Sequence, residues 1–155
     1  MKRWLGCDPG SAGAIAMIPE EGDIEIYSLE DRLTLRTLLQ SWCMDDCICC
    51  LEQVASSPQM GVKSAFSFGN NFGYIQAMFD AFCIPRQEII PSRWKGEFSL
   101  NLGKSATDKQ KKEADIRKCR ELYPKVSLRK TPRCRVDDNN FADALLLATY
   151  AKRKF

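Results

Sequence analysis

The segment CICCLEQVA, Cys47–Ala55, places a glutamate directly after an apolar run. Cysteine, isoleucine and leucine in succession favour a strand that is buried on both faces, which is typical of a position inside a sheet. Glu52 interrupts this pattern, because a carboxylate removed from water costs several kcal/mol unless a cation compensates it. Either the strand ends at Glu52, or the glutamate has a chemical function at the strand end.

The rest of the chain alternates short apolar runs with amphipathic segments. Strands are predicted at 2–8, 13–20, 23–29, 47–54 and 86–91, and helices at 34–43, 62–83, 107–124 and 139–155. Residues 92–105 are predicted to be an irregular connection, and residues 127–138 a basic linker. We expect an α/β fold in a single domain spanning 1–155, with a mixed five-stranded sheet flanked by helices.

The composition is that of a globular protein, with 45% hydrophobic and 28% charged residues. No apolar run reaches the roughly 18–20 residues that cross a membrane. The first residues, MKRWLGCDPG, lack the apolar core of a signal peptide. We therefore expect a protein that is not secreted and contacts no membrane, located in the cytoplasm of a bacterial or phage-infected cell or in an organelle.

The chain has eight cysteines and no histidine. The cysteines lack the paired C-x-x-C spacing of a zinc site, so we expect them to be reduced and mostly buried in strands. Cys43, Cys47, Cys49 and Cys50 cluster in the sequence, and a soft-metal site there is the alternative.

Charge is separated along the chain although the net charge is only +3. Residues 1–85 carry 5 basic and 11 acidic side chains, whereas residues 86–135 carry 15 basic and 6 acidic ones. A separated basic block indicates a polyanionic partner, most often a nucleic acid, and a solvated helix face is the alternative.

Three carboxylates occupy unusual places in this pattern. Asp8 ends the first strand, Glu52 ends the fourth, and Asp143 lies in the first turns of the last helix beside its apolar stripe. If the first and fourth strands are neighbours, Asp8 and Glu52 emerge at the same end of the sheet, and the last helix can add Asp143. Clustered carboxylates bind hard cations such as Mg²⁺ or Mn²⁺, and two such ions can clamp a phosphodiester.

Each of the three carboxylates also has a purely structural interpretation. Asp8 precedes Pro9-Gly10 and suits a turn. Glu52 can be a surface residue at a strand end, and Asp143 a solvated helix residue. The apolar neighbours of Asp143 favour a buried surface, and the three together favour a site.

Four segments in this order resemble the RuvC family of Holliday-junction resolvases, and its phage-type and organellar branch in particular. They are LGCDPGSAGAIA, CLEQVASSPQMGVKSAFSFGNNFGYIQAMF, IIPSRWK and NNFADALLLATYA. The resemblance covers nearly the whole chain. It implies an RNase H-like fold, a homodimer, two Mg²⁺ ions per active site with Mn²⁺ as a substitute, and paired nicks across a four-way DNA junction.

The resemblance also implies a set of metal ligands. Asp8, Glu52 and Asp143 match three of them. The family places a fourth, Asp or His, three or four residues before the last Asp, where this chain has Asn139 and Asn140. Asp138 can replace it if the helix starts late; the alternative is that Asp138 caps the helix.

Other positions match the family's contacts with DNA. Lys95 and Lys109 lie near positions where the family has lysines close to the scissile phosphate, and a solvated lysine is the alternative for each. Gln59, Met60 and Lys63 follow Glu52 and are expected at the junction crossover. Phe66 and Phe68 are expected to include a core or dimer-interface residue. The basic half is expected to hold the DNA, with contacts from Arg93, Lys104 and Lys111.

We therefore expect a structure-selective endodeoxyribonuclease that resolves four-way junctions. The departure at Asn139 and Asn140 leaves two alternatives open. One is a branched-DNA-binding protein without catalysis, and the other is an RNase H-like nuclease that acts on flap or RNA substrates.

Overall fold

The computed structural model describes residues 1–155, and the elements follow the order βββαβαβααα. The strands are β1 (Lys2–Asp8), β2 (Ala14–Pro19), β3 (Glu25–Ser28), β4 (Asp46–Glu52) and β5 (Arg86–Ile89). The helices are α1 (Arg32–Trp42), α2 (Val62–Ala81), α3 (Pro91–Glu97), α4 (Asp108–Leu122) and α5 (Asn139–Lys154). Every predicted strand and helix is present, with ends that differ by a few residues.

Helix α3 corrects the prediction that 92–105 is irregular. Pro91 occupies the start of the helix, where a missing N–H costs nothing, and Trp94 is fully buried against the core. Seven residues are too few to produce a recognisable helical period, so the sequence pattern did not indicate this helix. Burial of Trp94 against the core stabilises it.

The five strands form one mixed sheet in the order β3-β2-β1-β4-β5. Strands β1, β2 and β3 pair in antiparallel fashion, while β4 is parallel to both β1 and β5. The prediction that β4 lies inside the sheet is confirmed, and β1 and β4 are neighbours, which is the condition for Asp8 and Glu52 to emerge at the same end of the sheet. Cys47, Cys49 and Cys50 are buried in β4, and all eight cysteines are free thiols.

Helices cover both faces of the sheet. One face packs against α1 and α2 through an apolar cluster that includes Leu5, Cys7 and Leu51. The other face packs against α3, α4 and α5 through a second cluster that includes Cys50 and Leu145. Because side chains alternate along a strand, the residues at even positions of β1 and β4 face α5. No helix combines the length and apolar character needed to span a membrane.

Helix α5 lies directly on the backbone of β1 at Gly6. A Cβ atom at Gly6 would overlap the backbone nitrogen of Ala148 and the carbonyl oxygen of Ala144. Any larger residue would therefore push the helix away from the sheet. The absence of a side chain at this position sets the distance between β1 and α5, and so the distance between their carboxylates.

We predict that Gly6→Ala lowers the free energy of unfolding by roughly 3 kcal/mol, because backbone atoms of α5 must move to admit the methyl group. Urea unfolding followed by circular dichroism measures the change. Gly103→Ala, in the loop before α4, is the matched control: a Cβ there would have no neighbour nearer than Ser105 Oγ at 4.0 Å, so little change in stability is expected. Equal stability of Gly6→Ala and the wild type would contradict the inferred constraint.

Candidate active site

The ends of β1 and β4 bring two carboxylates together. Cys7 pairs with Leu51 in the parallel register, so Asp8 and Glu52 are the next residues on the two neighbouring strands. Both side chains belong to the face that carries Gly6 and Cys50, which is the face covered by α5. The carboxyl ends of parallel strands meet at one edge of a sheet, and the first and fourth strands do so here.

Asp8 is 8% exposed, and its Oδ1 accepts a hydrogen bond of 3.2 Å from the backbone N–H of Gly10. Burial and the nearby charge of Glu52 raise the pKa of Asp8 from 3.8 to about 7, although the Gly10 hydrogen bond opposes this. Asp8 is therefore both the turn residue that the D-P-G sequence indicates and a buried acid whose charged form is disfavoured. The two interpretations apply together.

Glu52 is held by the helix that the sequence did not reveal. The indole Nε1 of Trp94 in α3 donates a hydrogen bond of 2.8 Å to its Oε2. Burial raises the pKa of Glu52, while the Trp94 hydrogen bond and the charge of Lys95 lower it in part. The carboxylate therefore has a fixed orientation as well as a partly compensated charge.

Asp143 reaches the same region from the second turn of α5. Its Oδ2 accepts a hydrogen bond of 2.9 Å from Nδ2 of Asn139, one turn earlier. Burial and the negative charges of Asp115 and Asp8 raise the pKa of Asp143 well above its usual value, against the charge of Lys95. Asp143 thus lies close enough to Asp8 for their charges to interact.

Asp138 caps α5 in the structure. Its Oδ1 accepts a hydrogen bond of 3.1 Å from the N–H of Phe141, and its backbone is extended, as at a helix N-cap. The charge of Asp138 nevertheless contributes to the raised pKa of Asp8. Capping and proximity to the site therefore coexist, and a ligand role for Asp138 stays a prediction. Asn140 is partly exposed in the first turn of the helix.

The donor atoms of this site suit a hard divalent cation. The Oδ1 atoms of Asn139 and Asp143 are buried and have no hydrogen-bond donor, which is the state of oxygens that a cation would satisfy. The carboxylates of Asp8 and Glu52 repel each other, and a cation would remove that repulsion. No three acidic, cysteine or histidine side chains converge closely enough to share one ion in this conformation. The residue types and the unpaired oxygens therefore fit a cation, and its binding requires the side chains to close around it.

Lys95 and Asp115 complete the site. Lys95 Nζ lies 2.9 Å from Oδ2 of Asp115, and the charges of Asp143, Asp115 and Glu52 raise the pKa of the lysine in spite of its burial. Asp115, on α4, is 2% exposed and was not predicted from the sequence. Its position four residues before the buried Cys119, on the narrow apolar stripe of a charged helix, is the signal that could have found it.

The other predicted residues lie outside this cluster. The side chain of Lys109 is 86% exposed and pairs with Glu113 at 3.9 Å, so the structure does not bring it to the carboxylates as it does Lys95. Gln59 is exposed in the loop after β4, whereas Met60 and Lys63 line a groove of about 770 Å³ beside α2. Of the remaining three, Arg93 and Lys104 are exposed and Lys111 is half-buried.

Comparison with known proteins identifies the fold. No protein-family model and no curated protein sequence matches the chain. Among solved structures, T. thermophilus RuvC in complex with Holliday junction substrate is similar over 99% of this chain and 96% of its own, with a TM-score of 0.57 and 16% identity. Another Thermus thermophilus RuvC structure matches with a TM-score of 0.51 and 14% identity, over 95% of this chain and 90% of its own. The chain has the RNase H-like fold of RuvC.

We predict that Asp8→Asn stabilises the metal-free protein at pH 8 and has little effect at pH 4. The pKa of Asp8 is higher in the folded state than in the unfolded state. The protonated carboxyl is therefore tolerated at low pH, whereas ionisation of Asp8 lowers the free energy of unfolding as the pH rises from about 4 to about 7. Each pKa unit corresponds to about 1.4 kcal/mol, which limits the gain at pH 8 to roughly 4 kcal/mol.

Urea unfolding in the presence of EDTA at both pH values tests this expectation. Asp46→Asn, which neutralises an exposed carboxylate at the opposite end of β4, is the control. A gain for Asp8→Asn that does not depend on pH would refute the assignment of an energetic cost to the buried charge.

Proposed function

We propose that this protein is a structure-selective endonuclease that cuts four-way DNA junctions in a Mg²⁺-dependent reaction. The observation that carries the proposal is the position of Asp8 and Glu52 at the ends of two neighbouring parallel strands, with Asp143 on α5 near enough to Asp8 for their charges to interact. The similar T. thermophilus RuvC structure contains a Holliday junction substrate. The motif order that resembles the phage-type and organellar branch supports the same assignment.

The reaction is the hydrolysis of one phosphodiester bond in each of two strands, with water as the attacking group, and it leaves 5′-phosphate and 3′-hydroxyl ends. Asp8, Glu52, Asp143 and the amide oxygen of Asn139 would hold the cations, with Asp138 as a further candidate. When bound, divalent ions polarise the phosphate and lower the pKa of the attacking water.

The protein side chains orient these groups. Gly10 fixes Asp8, the Trp94 indole fixes Glu52, and Asn139 fixes Asp143, each through one hydrogen bond. The ammonium of Lys95, which acts on the pKa of all three carboxylates, supplies positive charge where a phosphate would develop negative charge. The exposed basic residues of 86–135 would bind the arms of the junction, and Gln59, Met60 and Lys63 its centre.

A homodimer is part of the proposal, because two strands must be cut. The first turns of α2 expose Val62 and Phe66 at 89% and 75%. Gly69 and Gly73 lie on the same helix, and a Cβ atom at either position would have no neighbour within 4 Å, so no element of this chain uses their small size. This exposed face of α2, with apolar and small residues, suits contact with a second copy.

The alternative is a protein that binds branched DNA without cutting it. Asn139 and Asn140 stand where an acidic ligand is expected, and amide oxygens bring no charge, so affinity for a second ion would be reduced. Incubation of the purified protein with labelled junction and Mg²⁺ or Mn²⁺ separates the two functions. A nuclease yields cut strands, whereas a binder only retards the junction in a gel. Flap, duplex and RNA–DNA hybrid substrates in the same assay test whether the protein is instead a nuclease that acts on flap or RNA substrates.

We expect Asp8→Asn to reduce nicking of a four-way junction by at least about 100-fold while binding is retained, because the residue contacts the reacting centre and not the DNA arms. Single-turnover cleavage measures the first quantity and gel retardation in Ca²⁺ the second. Asp46→Asn serves again as the matched control. Wild-type cleavage rates in Asp8→Asn would rule out the proposed active site.

We expect the wild-type protein to elute as a dimer of the 17.6 kDa chain and Phe66→Glu as a monomer, because a buried unpaired carboxylate disfavours an apolar interface. Size-exclusion chromatography with light scattering gives the masses. Met44→Glu, which changes another highly exposed apolar residue, should stay dimeric. A dimer that survives Phe66→Glu would exclude this face of α2 as the interface.

A further inference from the structure

Asp115 is the most deeply buried charged residue of the protein, with 2% exposure. It lies on α4, whose other acidic residues, Asp108, Glu113 and Glu121, are exposed. Its neighbours on the buried side of the helix are Ala114 and Cys119, and Cys119 donates its S–H to the carbonyl oxygen of Ala142 in α5. A carboxylate in such surroundings is retained only with a compensating charge.

That compensating charge is Lys95. Its Nζ lies 2.9 Å from Oδ2 of Asp115, and its side chain is 23% exposed. The same ammonium lies 5.1 Å from the ring centroid of Trp94, the residue that binds Glu52. Lys95 is therefore held from two sides, by the carboxylate on α4 and by the aromatic ring on α3.

The position of this ion pair in the site distinguishes it from an ordinary structural salt bridge. Asp115 acts electrostatically on Asp143 and Glu52, and Lys95 acts on both of them and on Asp8. A lysine side chain has four rotatable bonds and loses much conformational freedom when it is fixed. Without Asp115, the ammonium would exchange between solvent and the carboxylates of Asp143 and Glu52, and would at times occupy the oxygens that a cation needs.

We propose that Asp115 is a positioning residue that holds the Lys95 ammonium beside the Asp8, Glu52 and Asp143 carboxylates and keeps it from pairing with them. The catalytic part of this inference rests on the proposed nuclease function. In that reaction the ion pair places Lys95 for contact with the scissile phosphate, while the three carboxylates stay available for metal ions. Asp115 itself contacts neither the DNA nor the ions.

The first test requires no catalysis. The metal-free wild type and Asp115→Asn are treated with acetic anhydride at one pH, and the labelling rate of each lysine is followed by mass spectrometry. Lys95 should be labelled several-fold faster in Asp115→Asn, while the other lysines keep their rates. Glu121→Gln, which removes the exposed partner of Lys118 on the same helix, should leave Lys95 unchanged. An unaltered Lys95 rate in Asp115→Asn would overturn the proposal.

The second test is a double-mutant cycle on junction cleavage, with Asp115→Asn, Lys95→Ala and the double variant. Asp115→Asn should slow single-turnover cleavage by roughly 10- to 100-fold, with unchanged junction binding. The double variant should be no slower than Lys95→Ala, because a residue that acts only through Lys95 has no effect once Lys95 is gone. If the double variant cleaves more slowly than Lys95→Ala by the same factor that Asp115→Asn causes alone, the proposal is overturned.

The Mg²⁺ dependence of cleavage separates positioning from direct ligation. A large increase in the Mg²⁺ concentration needed by the double variant, relative to Lys95→Ala, would make Asp115 a ligand and would also overturn the proposal. If Asp115→Asn fails to fold, Asp115→Glu keeps the charge and moves it by one methylene group; wild-type labelling and cleavage in that variant would count against positioning. If the wild type cuts no junction, the proposed function fails, and the labelling comparison still decides whether Asp115 holds Lys95.

Discussion

The contact between α5 and the backbone of β1 at Gly6 is the constraint on which the site depends. It sets how near the helix lies to the sheet, and therefore whether Asp143 comes within electrostatic range of Asp8. The parallel register of β1 and β4 sets how near Asp8 lies to Glu52, because it makes them the next residues on two neighbouring strands. Two backbone relationships thus place three carboxylates, and neither depends on the carboxylates themselves.

Such a cluster is unfavourable in the absence of cations, and the fold contains partial compensation. The Gly10 N–H, the Trp94 indole and the Lys95 ammonium each lower the energy of a negative charge. The compensation is incomplete, because the pKa of Asp8 stays at about 7 and two oxygens of the Asn139–Asp143 pair have no donor. The cluster therefore lowers the stability of the metal-free protein and concentrates negative potential at one edge of the sheet. Groups with strongly shifted pKa values are common at functional sites.

Much of this arrangement follows from sequence patterns alone. Apolar runs with abrupt polar ends indicated β1 and β4 and placed Asp8 and Glu52 at those ends; that the two strands are neighbours came from the structure. The resemblance to RuvC implied the fold, which the structural comparison confirms. Asp143 was found because a carboxylate among alanines and leucines is conspicuous.

The residues that sequence reasoning missed are those defined by tertiary contacts. Asp115 belongs to a helix in which charged residues are common, so its spacing from Cys119 is a weak signal, and its burial follows from the packing of α4 on α5. The same applies to Trp94, whose role is a hydrogen bond to a strand 42 positions earlier in the chain. The two possible roles of Asp138 were identified from the sequence, yet the capping hydrogen bond required coordinates.

Helix α3 has a consequence for how this protein can vary in evolution. Trp94 and Lys95 are adjacent, and each reaches a different carboxylate, so a residue inserted or deleted between β5 and Trp94 would rotate both side chains by about 100° around the helix axis. Residues 102–105, by contrast, are exposed and belong to no helix or strand. Length changes among relatives should therefore accumulate in that short loop and be absent from the seven-residue helix before it.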